Sequence, residues 1–210
     1  MLRIPSQQHP LQVQLSHYLW RCVEQPQVEA TLGFSDKGLE VSFTVHETNP
    51  LITATVQQEP MLMVCQDSAV ELFLAFADTK EEATADFKPM LEQCLYLNIE
   101  INAAGICYAK HGHSRKNRTA FTPEQIASLG IKAQLQPEQE CWQVSLCVPH
   151  ELINELCGYA GFEHVFALNL YKISETAEHE HYVALNPINE EKPNFHLPQY
   201  FTLACTQDAE

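Results

Sequence analysis

The sequence predicts an all-β protein, a two-sheet antiparallel β-sandwich with short peripheral helices. Apolar and polar residues alternate in several short segments, most clearly in 95–102 (Leu-Tyr-Leu-Asn-Ile-Glu-Ile-Asn), and this is the period of a β-strand. Residues that favour turns separate these segments. The segments do not alternate regularly with helical patterns, so a parallel sheet built from βαβ units is not predicted.

The first strands come in a hairpin. Segments 28–32 and 39–46 alternate in hydrophobicity, and the loop between them carries Asp36 and Gly38, which suit a tight connection. Segment 51–56 is a further predicted strand, opened by Pro50. The remaining predicted strands, about ten in all with the first three, are 69–76, 95–102, 107–110, 141–148, 165–173, 182–185 and 200–206.

Two short helices are predicted beside the strands. Thr122 is a helix cap, Pro123 suits the first helical position, and Gly130 is a stop signal. Segment 149–157 is the second helix and ends before Gly158. Residues 77–93 are acidic and irregular, which favours a loop. Trp142 is in phase with the apolar residues of its strand, so we expect it in the core.

Length and charge limit the classes of protein that fit. A chain of 210 residues with 45% hydrophobic residues suits one sandwich domain over 1–210, with its core at roughly 20–206. The net charge of -15 argues against nucleic acid and anionic membranes as partners, because both attract basic proteins. No signal peptide or apolar membrane span is visible, so we expect a cytoplasmic protein, or a secreted one if a leader has been removed.

The eight cysteines are predicted to be reduced. No Cys-x-x-Cys pair is present, and most cysteines lie within apolar strand patterns. A chain of this length does not need disulfides to hold a core, and free Cys packs as a small hydrophobic residue.

The strand at 95–102 carries the strongest sign of a site. One face is aliphatic, and the other presents Tyr96, Asn98, Glu100 and Asn102. An exposed sheet face usually carries Lys, Thr and Ser, so a row of amides and a carboxylate favours the floor of a polar cleft. Neighbouring strands add to it, and the predicted ligand-binding residues are Glu71, Asn98, Glu100, Asn102, Asn169 and Tyr171.

The same side chains also fit a buried structural network. Inward-pointing Asn and Glu need hydrogen-bond partners. Arg115, Arg118 or Lys172 could supply these partners. The sequence leaves the cleft and the network open as alternatives.

Four segments, taken in order, resemble a known family. Residues 66–73 are Gln-Asp-Ser-Ala-Val-Glu-Leu-Phe, and 98–105 are Asn-Ile-Glu-Ile-Asn-Ala-Ala-Gly. Residues 169–172 are Asn-Leu-Tyr-Lys, and 194–201 are Asn-Phe-His-Leu-Pro-Gln-Tyr-Phe. Together they resemble the family 9-like carbohydrate-binding modules, β-sandwich domains related to DOMON domains, over roughly residues 20–206.

The resemblance implies non-catalytic recognition of a saccharide or small polar ligand. The family's sugar-binding carboxylate and Asn fall on Glu71 and Asn102, with Glu100 beside them. Sugar-binding members tend to carry Trp where this chain has Cys65 and Leu185. The aromatic residues that would have to replace these tryptophans are Tyr96, Tyr171 and Tyr182. No cofactor is expected, except that related modules can hold a structural calcium ion.

Two other functions remain open. The chain could be a structural or protein-interaction sandwich that has lost the sugar site and forms a homodimer through a sheet surface. It could also be a glycoside hydrolase that uses Glu71 and Glu100 as acid and base.

Histidine pairs indicate a further alternative, a metal site. His111 and His113, and likewise His179 and His181, place two imidazoles on one face of an extended segment. The simpler interpretation is that they are solvated loop residues. The identity of any metal ligand stays unknown at this stage.

Overall fold

A computed structural model describes residues 1–57 and 63–207 and contains two β-sheets packed face to face. Two short α-helices flank them, α1 (Pro123–Ser128) and α2 (His150–Cys157). The strands are β1 (Leu2–Ile4), β2 (Leu11–Leu15), β3 (His17–Tyr18), β4 (Gln27–Ser35), β5 (Gly38–His46), β6 (Ala69–Phe76), β7 (Leu95–Asn102), β8 (Cys107–Ser114), β9 (Asn117–Ala120), β10 (Lys132–Gln136), β11 (Cys141–Pro149), β12 (Phe166–Ser174), β13 (His181–Ala184) and β14 (Thr202–Thr206).

The larger sheet has the strand order β1-β14-β12-β6-β7-β8-β9, and β13 joins it by pairing with both β12 and β3. The smaller sheet has the order β10-β11-β5-β4-β2. All named strand pairs in the described residues are antiparallel except β1 with β14. The predicted fold class, an antiparallel β-sandwich, is confirmed.

The main core lies between the two sheets. The aliphatic faces of β6, β7 and β12 meet the apolar side chains of the smaller sheet, as expected for strands of period two. Trp142 on β11 is fully buried there, which confirms its predicted place in the core.

The outer face of the larger sheet is covered as well. A second apolar cluster lies on it, formed by residues from the strands and from the segment that precedes β14. Its buried aromatic members are Phe73, Tyr96, Tyr171, Tyr182, Phe195 and Phe201. Every residue of β6, β7 and β12 is therefore buried, including those of the polar row on β7.

Both predicted helices are present: α1 begins at Pro123 as predicted, and α2 ends at Cys157 as predicted but begins at His150, one residue later than predicted. The Thr122 hydroxyl accepts a hydrogen bond from the backbone N–H of Gln125, and the Gln125 side chain accepts one from Thr122 in return. This reciprocal cap satisfies backbone donors at the start of α1. Gly158 ends α2 with a φ of 75°, in the left-handed region that glycine favours.

One predicted strand is wrong. Segment 51–56 forms no strand, because side chains and not a neighbouring strand satisfy its backbone. The Asp67 carboxylate accepts hydrogen bonds from the N–H groups of Thr53 and Ala54, both at 3.0 Å. The Ser68 hydroxyl accepts one from Leu51 at 2.8 Å.

Five strands were not predicted: β1, β2, β3, β9 and β10. They are short, and β10 is almost wholly exposed, so no hydrophobic alternation marks it. Residues 77–93 contain neither helix nor strand, as predicted. All eight cysteines carry free thiols. Neither helix in the described ranges is long and apolar enough to cross a membrane.

Candidate functional site

A cleft of about 250 Å³ opens on the outer face of the larger sheet, above the polar row of β7. Glu71 on β6 and Glu100 on β7 stand opposite each other in register and form its floor. They are only 3% and 7% exposed. The other prominent lining residues are the charged Arg115, Arg118 and Glu175 and the aromatic Tyr108, Tyr182 and Phe195.

The two floor carboxyls hold protons more tightly than ordinary glutamates. Burial raises the pKa of Glu71 well above its usual range, and the charges of Glu100 and Glu175 raise it further, while Arg118 opposes them. Burial also raises the pKa of Glu100 to about 7, although Arg118 and a hydrogen bond from Asn98 act in the opposite direction. Among the described residues, Glu71 has no hydrogen-bond partner. At neutral pH the floor therefore carries less than its full negative charge.

Asn98 links the floor to the positive charges of the cleft. Its amide group donates a hydrogen bond to Glu100 Oε1 at 2.8 Å, and its oxygen accepts one from Arg118 Nη1. Arg118 Nε also donates to the carbonyl of Arg115 at 3.1 Å, and Arg115 Nη1 donates to Asn194 Oδ1 at 3.0 Å. Asn98 therefore orients groups that line the cleft and does not line it itself.

Asn102 lies outside the cleft. Its Nδ2 donates to Asp67 Oδ2 and to the carbonyl of Ala54, both at 2.8 Å. Its Oδ1 accepts from the N–H groups of Ala104 and Ile106 at 3.1 and 2.9 Å. The side chain is completely buried, and both amide donors and both acceptor positions are in use. In this structure Asn102 fixes the turn after β7.

Asn169 and Tyr171 also lie away from the cleft lining. Asn169 Oδ1 accepts hydrogen bonds from the N–H groups of Leu170 and Asn186, at 3.0 and 3.1 Å. Tyr171 stacks on Phe195 with ring centroids 3.9 Å apart, and its hydroxyl donates to the Phe195 carbonyl. Both side chains are fully buried. The structure thus brings only Glu71 and Glu100 of the six predicted residues to the cleft surface.

Three aromatic residues line the cleft: Tyr108, Tyr182 and Phe195. The three tyrosines considered as replacements for Trp, Tyr96, Tyr171 and Tyr182, all belong to the second core cluster, and of these only Tyr182 also lines the cleft. Cys65 lines the cleft as expected from the resemblance, but Leu185 packs against the main core.

The rings of the cleft wall are held by packing. Trp20 lies 5.4 Å from the Tyr182 ring in an edge-to-face contact and 5.7 Å from the Phe195 ring, centroid to centroid. Such contacts fix ring orientation. The wall beside the carboxylates is therefore a preformed aromatic surface.

His196, from the last of the resemblance motifs, also lines the cleft. Its Nδ1 lies 3.4 Å from the Tyr96 hydroxyl and 3.5 Å from Arg118 Nη1. Burial and the charges of Arg118 and Arg115 lower the pKa of His196 to about 2, so the ring is neutral. A neutral ring suits a hydrogen-bond acceptor beside two arginines.

Sequence reasoning missed part of the lining. The sequence predicts a strand that ends at residue 110, but β8 continues to Ser114 and pairs with β9. This hairpin brings Arg115 and Arg118 over the polar row. Glu175 follows the last residue of β12 and stands at the cleft. The run His-Ser-Arg-Lys-Asn-Arg at 113–118 is the sequence signal for the two arginines.

A second buried polar cluster lies between the sheets. Lys172 Nζ is 3.4 Å from Glu47 Oε2 and 2.6 Å from His181 Nε2. Glu47 also accepts hydrogen bonds from Ser68 at 2.7 Å and from the Trp142 indole at 2.8 Å. Lys172 therefore pairs with Glu47 and is not a partner of the polar row.

The pKa values of all three ionisable groups in this cluster are lowered. Burial lowers the pKa of Lys172 to about 8, although Glu47 opposes the change. Burial and the Lys172 ammonium lower the pKa of His181 to about 3. Burial by itself would raise the pKa of Glu47, but Lys172 and the hydrogen bonds from Ser68 and Trp142 outweigh it and leave that pKa lowered. A neutral imidazole thus accepts from Lys172.

One group of side chains in the described residues has metal-ligand spacing, with donor atoms of Glu24, Glu47 and His181 within 4.8 Å of one another. It does not fit calcium, which takes six to eight oxygen ligands, because one donor is an imidazole and Lys172 already supplies the positive charge. His179 pairs with Glu24 at 3.0 Å.

The other predicted histidine pair, His111 and His113, belongs to no such group in the part of the chain that the structure covers. His113 Nε2 is 3.4 Å from Asp78 Oδ1, and His111 packs on Phe121. Neither contact brings the two imidazoles to a common ion.

A larger concavity, about 630 Å³, lies on the outer face of the smaller sheet. Short neutral side chains dominate its lining, and its charged members, Glu29 and Lys132, are exposed. None of the predicted site residues lies there. We place the candidate site at the smaller cleft, because the buried and perturbed charged groups are concentrated in it.

Comparisons with known proteins agree with the fold. The chain is similar to a candidate carbohydrate-binding protein from Bacteroides uniformis, with 18% identity over 93% of this chain and 85% of that one and a TM-score of 0.71. It is also similar to a carbohydrate-binding module of family 9 from Caldicellulosiruptor kristjanssonii, solved with glucose (13% identity, 94% and 84% coverage, TM-score 0.55) and with cellotriose (13%, 98% and 93%, TM-score 0.58). No curated protein matches the chain.

The family model described as carbohydrate-binding family 9 matches residues 7–204. The four motifs noted in the sequence lie inside this match, and the observed sandwich is the expected fold. Because the match covers nearly the whole chain, this protein belongs to carbohydrate-binding family 9.

Proposed function

We propose that the cleft between Glu71, Glu100 and the β8–β9 hairpin binds one sugar ring of a saccharide, without cleaving it. The carrying observation is Glu71. This carboxyl is buried, lines the cleft, and has no hydrogen-bond partner among the described residues. Its oxygens are open to the cleft, because no fully buried side-chain nitrogen or oxygen of the described residues lacks a partner. A sugar hydroxyl can therefore donate to them directly, in place of solvent.

The size of the cleft supports a single ring. At about 250 Å³ it is smaller than the pockets of roughly 300–1,000 Å³ that hold drug-sized ligands. The family 9 module of similar fold from Caldicellulosiruptor kristjanssonii has been solved with glucose and with cellotriose. If the cleft holds one terminal sugar ring and the remaining rings of a longer saccharide stay in solvent, it can bind ligands of both sizes.

The chemistry of the lining supports a sugar. Glu71 and Glu100 offer oxygen acceptors, and Arg115 and Arg118 offer N–H donors, all on or beside strands that fix their directions. The rings of Tyr182 and Phe195 offer apolar surface for the C–H side of a sugar.

Titration calorimetry with glucose, cellobiose and cellotriose tests the proposal. We expect one site per chain, and we expect Glu71→Leu, which keeps bulk but removes both oxygens, to weaken binding at least about tenfold. Glu29→Gln, in the concavity of the other sheet, is the matched control and should bind as the unchanged protein does.

A second measurement covers the case in which Glu71→Leu does not fold. Amide spectra of the unchanged protein should show sugar-dependent shifts at Arg118 and Tyr182. Absence of binding to all three sugars, or shifts confined to the Glu29 face, would contradict the proposal. Turnover of aryl glycosides in the same samples would contradict its non-catalytic part.

A further inference from the structure

The charges that line the cleft do not balance. Glu71, Glu100 and Glu175 contribute three carboxyl groups, against the two guanidiniums of Arg115 and Arg118. Each guanidinium is held by a hydrogen bond to another residue of the chain, to Asn98 or the Arg115 carbonyl for Arg118 and to Asn194 for Arg115. Glu71, in contrast, has no such partner in the described residues. Glu71 is therefore the acceptor of the cleft that the described residues leave open to a ligand, on a floor where carboxyl groups outnumber guanidiniums.

We propose that the cleft is selective for a sugar that carries a free primary amine, with the ammonium group placed among Glu71, Glu100 and Glu175. This inference rests on the proposed function and names the ligand class of the same site. An ammonium group offers three donors, whereas a hydroxyl offers one. It also supplies the positive charge that a set of buried carboxylates needs.

The protonation of the floor supports this assignment. Burial and the neighbouring carboxylates raise the pKa of Glu71, and Glu100 titrates near neutrality. Arg118 opposes the shift at both residues, and Lys110 opposes it at Glu100. A cation placed beside two such carboxyls lowers their pKa, because it stabilises the ionised form. Binding of an amine should therefore release protons from the floor.

The aromatic wall supports the same class of ligand. The rings of Tyr108, Tyr182 and Phe195 line the cleft next to the carboxylates. Aromatic rings attract ammonium groups through their quadrupoles. Cys65 lies where the resemblance leads us to expect a sugar-stacking Trp, so this side of the cleft offers less aromatic surface, while its carboxyl groups remain.

The test compares three ligands in 0.15 M salt at a pH where the amine is charged: glucosamine, glucose and N-acetylglucosamine, whose amine is capped. We expect glucosamine to bind at least tenfold more tightly than either neutral sugar. Glu71→Gln keeps hydrogen-bonding groups but cannot ionise when the ammonium binds, so the ratio of glucosamine affinity to glucose affinity should fall to about one. Glu29→Gln is the control for general attraction to an acidic protein and should keep the preference.

The outcomes distinguish failure of this inference from failure of the proposed function. If glucose binds as tightly as glucosamine, the amine selectivity is overturned and the sugar site stands. If the preference survives in Glu71→Gln, or is lost in Glu29→Gln, the amine is not recognised by the cleft floor and the inference fails. If none of the three sugars binds, both proposals are overturned.

Discussion

Arg118 donates a hydrogen bond to the side-chain oxygen of Asn98, and this contact joins the β8–β9 hairpin to the floor of the cleft. Asn98 in turn donates to Glu100. Through these two hydrogen bonds and its positive charge, Arg118 of the hairpin opposes the rise in the pKa of the buried Glu100. The cleft therefore depends on a residue that is distant in sequence from the strands of its floor.

Replacing Arg118 by Ala should raise the pKa of Glu100 above about 7, because the opposing positive charge is lost. It should also leave the Asn98 oxygen without its donor and weaken sugar binding at least tenfold. Carboxyl chemical shifts followed against pH, together with calorimetry, measure the two effects. Arg3→Ala, at an exposed arginine of β1, is the control. An unchanged Glu100 titration in Arg118→Ala would show that the hairpin does not tune the floor.

Asn102→Ala should reduce stability and leave binding intact. The substitution removes partners from the Asp67 carboxylate and from the buried N–H groups of Ala104 and Ile106. Unsatisfied groups of this kind cost about 1–3 kcal/mol each, so we expect a loss of roughly 2–4 kcal/mol in the free energy of unfolding. Urea unfolding measures it, with the exposed Asn49→Ala as control. A folded variant with weakened sugar affinity would instead assign Asn102 to the site.

Glu100→Gln should stabilise the protein at and above neutral pH. The pKa of Glu100 is raised to about 7 in the folded state, so its favourable contribution is complete below the ordinary value of 4.5 and is lost as pH rises through 7. Glutamine retains the acceptor for Asn98 and does not titrate. We expect a gain of about 1–3 kcal/mol at pH 8 and little change at pH 4, measured by thermal unfolding. The same change at exposed Glu29 should have no such pH dependence.

The fold was predictable because its central strands carry plain signals. The alternation of β5, β7 and β11 and the cap at Thr122 are local, and the structure contains each of them. The strand at 51–56 failed because the competing partners, Asp67 and Ser68, lie more than ten residues away in the chain. Backbone capping by distant side chains has no local pattern.

The site was predictable only in part. Alternation placed Asn98, Glu100 and Asn102 on one face, and all three are on that face. It could not show which parts of this face are covered. Glu100 reaches the cleft below the β8–β9 hairpin, whereas Asn102 is enclosed by Asp67, Ala54 and the turn after β7. These positions follow from tertiary packing.

Acid should destabilise the protein through the cluster between the sheets. The pKa of His181 is lowered to about 3 in the folded state, against an ordinary 6.5, so the unfolded chain binds more protons between these values. Stability is therefore lost as pH falls from about 6.5 to about 3, and Glu47, whose pKa is also lowered, adds a loss in acid. In His181→Gln, the loss of unfolding free energy between about pH 6.5 and pH 3 should be smaller by about 2–4 kcal/mol, as measured by chemical unfolding at a series of pH values. If the free energy of unfolding falls with pH equally in the variant and in the unchanged protein, His181 is not the cause.

Lys172 and Glu47 should show strong coupling in a double-mutant cycle. Lys172→Met leaves the Glu47 carboxylate buried without its counter-charge, and removing one partner of a buried pair costs about 3–5 kcal/mol. Adding Glu47→Gln removes the stranded charge and keeps groups that can bond Ser68 and the Trp142 indole, so the double variant should recover much of that loss. Urea unfolding at pH 7 measures all four proteins. Additive losses would mean that the pair contributes as two independent packed side chains, and the 3.4 Å contact would then carry little free energy.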